Sequence, residues 1–101
     1  MKECNIASTR ILLGENRLEN SYLLSLNKDF TWVHAKSISS GHAVIESINP
    51  TIEELNKAKE MVKKGCKGKK DPNFKVEYTK IINLEIVGIG EVITNNNVKY
   101  L

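Results

Sequence analysis

With 101 residues, 41% of them hydrophobic and 27% charged, the chain has room for one domain and one core, and it is too apolar to be disordered throughout. No apolar run approaches the roughly 18 residues a membrane span needs, and Met1-Lys2-Glu3-Cys4-Asn5 lacks the apolar stretch of a secretory signal. Cys4 and Cys66 are too few and too irregularly placed for a disulfide framework, so reduced thiols and a cytoplasmic setting are expected.

The net charge of +3 does not by itself point to nucleic acid, but its distribution does more. Residues 1–50 are balanced, so the whole excess falls in 51–101. It gathers at Lys57, Lys59, Lys63, Lys64, Lys67, Lys69 and Lys70, opposed over that stretch only by Glu60. A local basic ridge of this kind suits phosphate contact in a way that mean charge does not.

In chain order, residues 1–8 show no period and are expected to fray. Thr9 to Leu13 reads as a strand ending at Gly14. Asn16 is a helix N-cap with Glu19 completing a capping-box-like pair, and Leu18, Tyr22 and Leu26 at four-residue spacing predict a short helix. Phe30 to Ala35 alternates as a strand, with Phe30, Trp32 and His34 on one face. After a Ser/Gly loop, His42 to Ile48 is a second strand that places His42, Val44 and Glu46 on one side.

Thr51 and Glu54 form a capping box that opens the clearest helix, whose predicted buried stripe is Ile52, Leu55, Ala58, Met61 and Val62. Lys63 and Lys64 complement its dipole, and Gly65 terminates it. Cys66 to Asn73 is a basic loop, Phe74 to Thr79 a strand, and Asn83 to Val87 strand-like before a Gly88-Ile89-Gly90 turn or bulge. Glu91–Thr94 and Val98–Leu101 around Asn95-Asn96-Asn97 read as a final hairpin. The fold class is therefore α+β, of the α/β class in the broad sense. One mixed sheet of about five to seven short strands is covered by two helices, in a single domain over 1–101.

No reaction assembles from these residues. There is no G-x-S-x-G, no phosphate loop and no metal-ligand spacing among His34, His42, Cys4 and Cys66, so no enzyme activity, metal or cofactor is expected. Cys66, among lysines, could be a reactive thiol, although a small residue at a helix end is the plainer reading. Binding fares better. Trp32, His34 and Tyr78 offer flat rings beside lysines, the parts from which stacking on unpaired bases and phosphate contact are made. A strand tryptophan is more often a core residue.

Read in order, several segments resemble one family. Ile11-Leu12-Leu13-Gly14-Glu15-Asn16-Arg17-Leu18-Glu19-Asn20 is similar to the opening of the NFACT-R domain of ribosome-rescue proteins. Trp32-Val33-His34-Ala35-Lys36 and Ser40-Gly41-His42-Ala43-Val44-Ile45 resemble its W-x-H and H-V-V-I pair. Val76-Glu77-Tyr78-Thr79-Lys80 resembles a later V-x-Y-T strand. The likeness runs from about Arg10 to Leu101 and is nearest to stand-alone members of the family. Two positions depart from the family pattern: Phe30 stands for a usual Asp and Glu15 for a frequent basic residue.

What the resemblance implies is nucleic-acid binding, with RNA the better candidate: tRNA or rRNA, on the large ribosomal subunit. The residues carried over are Asn16, Asn20, Trp32, His34, His42 and Tyr78. Lys36, Lys63, Lys64, Lys67, Lys69 and Lys70 are the expected phosphate contacts. A protein–protein adaptor docking on a ribosomal or tRNA-modifying partner, a DNA binder, and an enzyme using the two histidines are the alternatives.

Overall fold

A computed structural model describes residues 1–101. Its elements are β1 (Lys2–Ile6), β2 (Thr9–Leu13), α1 (Arg17–Leu24), β3 (Thr31–Ala35), β4 (Ala43–Ile45), α2 (Ile52–Lys64), β5 (Val76–Lys80), a 3-10 turn (Ile81–Asn83), β6 (Leu84–Gly88), β7 (Glu91–Thr94) and β8 (Lys99–Tyr100). Six strands form one sheet in the order β1-β2-β4-β3-β5-β8, while β6 and β7 form a separate two-stranded ribbon. The α+β class holds. The expected mixed sheet is corrected, since every strand pair is antiparallel.

Alternation along the central strands divides the core in two. Ile11, Leu13, Val33, Ala35, Ala43 and Ile45 point to one face and meet Leu55, Ala58 and Val62 of α2. Leu12, Trp32 and Val44 point to the other and meet Leu23 and Leu24 of α1, with Leu84 and Val92 of the ribbon packed alongside. Each fully buried aliphatic side chain here contributes about 1.5–3 kcal/mol relative to exposure. At eight residues α1 is too short to be stable by itself, so docking of Leu23 and Leu24 holds it.

Four further expectations are corrected. Residues 1–8 do not fray: β1 pairs with β2 from Lys2↔Leu13 to Ile6↔Thr9, and Ala7 takes the positive φ that the tight turn between them needs. The α1 stripe is also different. Leu18 and Tyr22 are exposed and Leu23 and Leu24 are buried, because the apolar packing of the helix on the sheet is made by its last turn. Ile52, at the first turn of α2, is exposed as well, although Leu55, Ala58 and Val62 are buried as expected.

The fourth is strand pairing. The expected hairpin of Glu91–Thr94 with Val98–Leu101 does not form; β7 instead pairs with β6 across Gly88–Gly90, and β8 adds to β5. The capping box of α2 is as read: Glu54 N–H donates to Thr51 Oγ1 at 3.1 Å and Thr51 N–H to Glu54 Oε1 at 3.0 Å. Gly65 ends that helix at φ −96°, a conformation open to any residue.

Candidate functional site

The α1 face of the sheet carries a cluster of three rings. Because β3 alternates, Trp32 and His34 emerge on the same side, and their rings stack at 5.4 Å with 4° between the planes. His42 precedes β4 on the neighbouring strand and stands edge-on to both, 5.5 Å from Trp32 and 5.2 Å from His34. Its position is held from two sides. The His42 carbonyl accepts from Gly14 N–H at 2.9 Å, and its N–H donates to Asn20 Oδ1 at 3.1 Å.

Asn20 is thus the bolt between α1 and the sheet. Asn16 caps the helix start by accepting from Glu19 N–H at 2.9 Å. Glu19 does not return that bond to Asn16 but accepts from Glu15 N–H at 2.9 Å, so the expected capping box is shifted by one residue. Three glycines let the backbones close in. A Cβ at Gly14 would overlap Asn20 Oδ1, one at Gly41 would overlap the Gly14 carbonyl oxygen, and Gly90, with φ +66°, lies against Arg17 and Asn20.

These rings form the floor of a cleft of about 1030 Å³. Its walls are the start of α1 (Asn16, Asn20), the β3–β4 loop, Gly65–Lys67 after α2 and the β6–β7 turn (Val87, Ile89, Gly90). Trp32 is 1% and His42 5% exposed, and His34 is partly exposed. Trp32 Nε1, His34 Nδ1 and His42 Nδ1 are all buried without a hydrogen-bond partner. Such groups are costly to leave unpaired, and all three lie beneath the cleft surface rather than open to it.

Burial sets the charge state. It lowers the His42 imidazole to about 4, with His34 adding repulsion, and burial lowers His34 as well. Both rings are therefore neutral near pH 7. Glu77, paired across the strands with His34, is raised by burial, against the opposing effect of Lys36, and its Oε1 lies 3.9 Å from His34 Nδ1. No group of three metal-ligating side chains forms.

Of the residues read from the sequence, Asn16, Asn20, Trp32, His34, His42 and Lys67 converge on the cleft. Tyr78 does not. It pairs with Val33, so it lies on the α2 face, beside a separate recess of about 380 Å³. The ammonium groups also fail to encircle the cleft. Lys64 is paired with Glu60 at 3.1 Å, Lys63 lies 5.9 Å from the Phe74 ring centroid, and Lys36 lies 4.7 Å from that of Tyr100. Lys69 and Lys70 are exposed on the loop after α2 without lining the cleft. The charged lining is Arg17 and Lys67 against Glu15, Glu77 and Glu91.

Sequence reading missed Arg17, Glu77, Glu91 and the Val87–Gly90 turn; the clue was an exposed apolar turn closed by glycine. Cys66 is buried in the α2-side core, which favours its plainer reading.

The comparisons with known proteins bear on this geometry. No family model matches the chain. The Rqc2 homolog RqcH of Bacillus subtilis (strain 168) is 34% identical over 73 residues, which is 70% of this chain and 13% of that protein. The C-terminal part of the fibronectin/fibrinogen-binding protein of Streptococcus suis superposes with a TM-score of 0.83 at 28% identity, covering 92% of this chain and 40% of that one. The chain is homologous to the NFACT-R-like C-terminal region of such proteins. The NFACT-R-like chain spans well under half of either relative, and its core is the one described above. No helix in it is long and apolar enough to cross a membrane.

Proposed function

We infer that this NFACT-R-like chain is a cytoplasmic RNA-binding module, acting on tRNA, rRNA or other structured RNA in ribosome-associated quality control, and that it is not an enzyme. The observation that carries the reading is the cleft itself, where the partly exposed His34 ring, stacked on Trp32, is brought together with Asn16, Asn20, Arg17 and Lys67. Homology to RqcH supplies the ribosomal context. Backbone phosphates would be met at the rim, by Lys67 with Lys69 and Lys70 on one loop and by Arg17 at the helix start. Asn16 would serve as a polar reader, with Asn20 holding the floor in shape.

The test is a titration with tRNA and with a DNA duplex of equal length at two salt concentrations. If about three cations each displace a counterion, affinity falls roughly a hundredfold for a tenfold rise in salt. Replacing Lys67, Lys69 and Lys70 by Gln should flatten that dependence. Equal, weak and sub-stoichiometric binding to every nucleic acid would refute the reading.

A second reading is favoured by one observation. Ile82, Ile86, Val87, Ile89 and Ile93 on and around the β6–β7 ribbon are all at least half exposed, as a protein-docking surface would be. A pull-down that survives nuclease and high salt would support the adaptor over the RNA module.

A further inference from the structure

The lining of the cleft does not suit a phosphate. Glu77 and Glu91, together with a Glu15 already paired to the Met1 ammonium at 3.0 Å, face two cations, Arg17 and Lys67, and both imidazoles of the floor are neutral near pH 7 because burial disfavours their charged forms. A phosphate on the floor would lose its water and meet no positive charge from the rings beneath it. A neutral planar group fits better. The floor is itself a set of ring faces and edges, with Trp32 and His34 coplanar within 4°, and the outermost of these rings, His34, is the partly exposed one.

The hydrogen-bonding inventory narrows the ligand further. Trp32 Nε1 is a donor and has no acceptor within reach. The unpaired Nδ1 atoms of His34 and His42 each offer a donor or an acceptor according to tautomer. All three atoms are covered by protein, so they shape the floor without touching a ligand above it, and the ligand's polar edge is met by the walls instead. Around it, the carboxylates can only accept, so they favour amino groups and disfavour carbonyl oxygens. Val87 and Ile89, each about half exposed on the β6–β7 turn, add aliphatic surface to the same cleft.

We propose that the cleft takes an unpaired nucleobase bearing an exocyclic amino group, adenine before all others, with the base stacked on the partly exposed His34 ring, which Trp32 backs from beneath, and its amino group toward the carboxylate wall. This rests on the RNA-binding reading and specifies what part of the RNA enters the site. The base sits inside while the flanking phosphates stay outside, on Arg17 and on Lys67 with its loop neighbours. Specificity is then for a single-stranded or extruded nucleotide, because a base held in a duplex exposes neither its face nor its pairing edge.

Trp32 is the sole tryptophan and lies in the floor, so its emission reports occupancy directly. The experiment titrates the full chain with four fluorescently labelled RNAs: an adenylate 8-mer, a uridylate 8-mer, an abasic 8-mer of equal charge, and a fully paired hairpin. Anisotropy reports binding and Trp32 emission reports the cleft. The adenylate 8-mer should bind about tenfold more tightly than the abasic one, and more tightly than the uridylate one. Only base-bearing single strands should change Trp32 emission.

His34→Ala removes the partly exposed ring while leaving Trp32 in place, and should bring adenylate and abasic affinities together with the circular dichroism unchanged. Equal binding of adenylate and abasic 8-mers by the parent protein overturns the nucleobase site while leaving RNA binding intact. Equal binding of adenylate and uridylate overturns the amino-group preference. Failure to bind any of the four overturns the RNA reading itself.

Discussion

Acidification should destabilise this fold through one side chain. His42 is 5% exposed, stands edge-on to Trp32 and His34, and has no partner for Nδ1. Burial, then repulsion from His34, lowers its pKa from 6.5 to about 4. Below pH 6.5 the unfolded chain takes up a proton that the folded chain refuses, so stability falls from there and the full loss is reached below about pH 4. A shift of that size is worth about 3 kcal/mol, of which about 2.5 kcal/mol is lost by pH 4.5. For a domain with a stability on the order of 5–15 kcal/mol this is a large fraction.

Urea unfolding followed by Trp32 emission at pH 7.5, 6 and 4.5 measures it, with His42→Gln as the comparison. The parent should lose about 2.5 kcal/mol more than the variant between pH 7.5 and 4.5. Groups that do not contact His42 cancel in the difference, whereas His34, coupled to His42 by repulsion, contributes to it. Parallel losses in the two proteins would refute the assignment of a buried neutral imidazole.

Other outcomes follow from single contacts. Asn20→Ala strips the acceptor from the His42 N–H, bonded at 3.1 Å, and should cost about 1–3 kcal/mol while speeding hydrogen exchange at that amide. Gly41→Ala should destabilise by more than about 2 kcal/mol in a thermal melt, since its Cβ would overlap the Gly14 carbonyl. Gly65→Ala is the control. Its Cβ would meet nothing nearer than 4.0 Å and its φ is −96°, so the melt should be unchanged or shift upward by up to about 1 kcal/mol of stability. Thr51→Ala opens the α2 capping box and should cost about 1 kcal/mol by urea unfolding.

What could be read from the chain alone was whatever is set within a few residues. The period of two along β3 placed Trp32 and His34 on one face, and the Thr51–Glu54 pair announced the start of α2, because both depend only on local backbone geometry. The resemblance carried the rest of the site, bringing His42, Asn16 and Asn20 into view together. Pairing partners could not be read in the same way. Glu91–Thr94 alternates equally well toward Leu84–Gly88 or toward Val98–Leu101, and only packing of Leu84 and Val92 on the α1-side core selects the first.

The same limit governed the charges and the helix face. That Tyr78 turns away from Trp32 follows from its register against Val33, and that Leu23 and Leu24 rather than Leu18 and Tyr22 are buried follows from how α1 meets the sheet. Lysines clustered in sequence suggested a basic site, yet side chains from six separate segments line the cleft and bring Glu15, Glu77 and Glu91 into it. Local periodicity tells a residue which way to point; only the assembled sheet decides what it points at, since that choice is made by segments far apart along the chain.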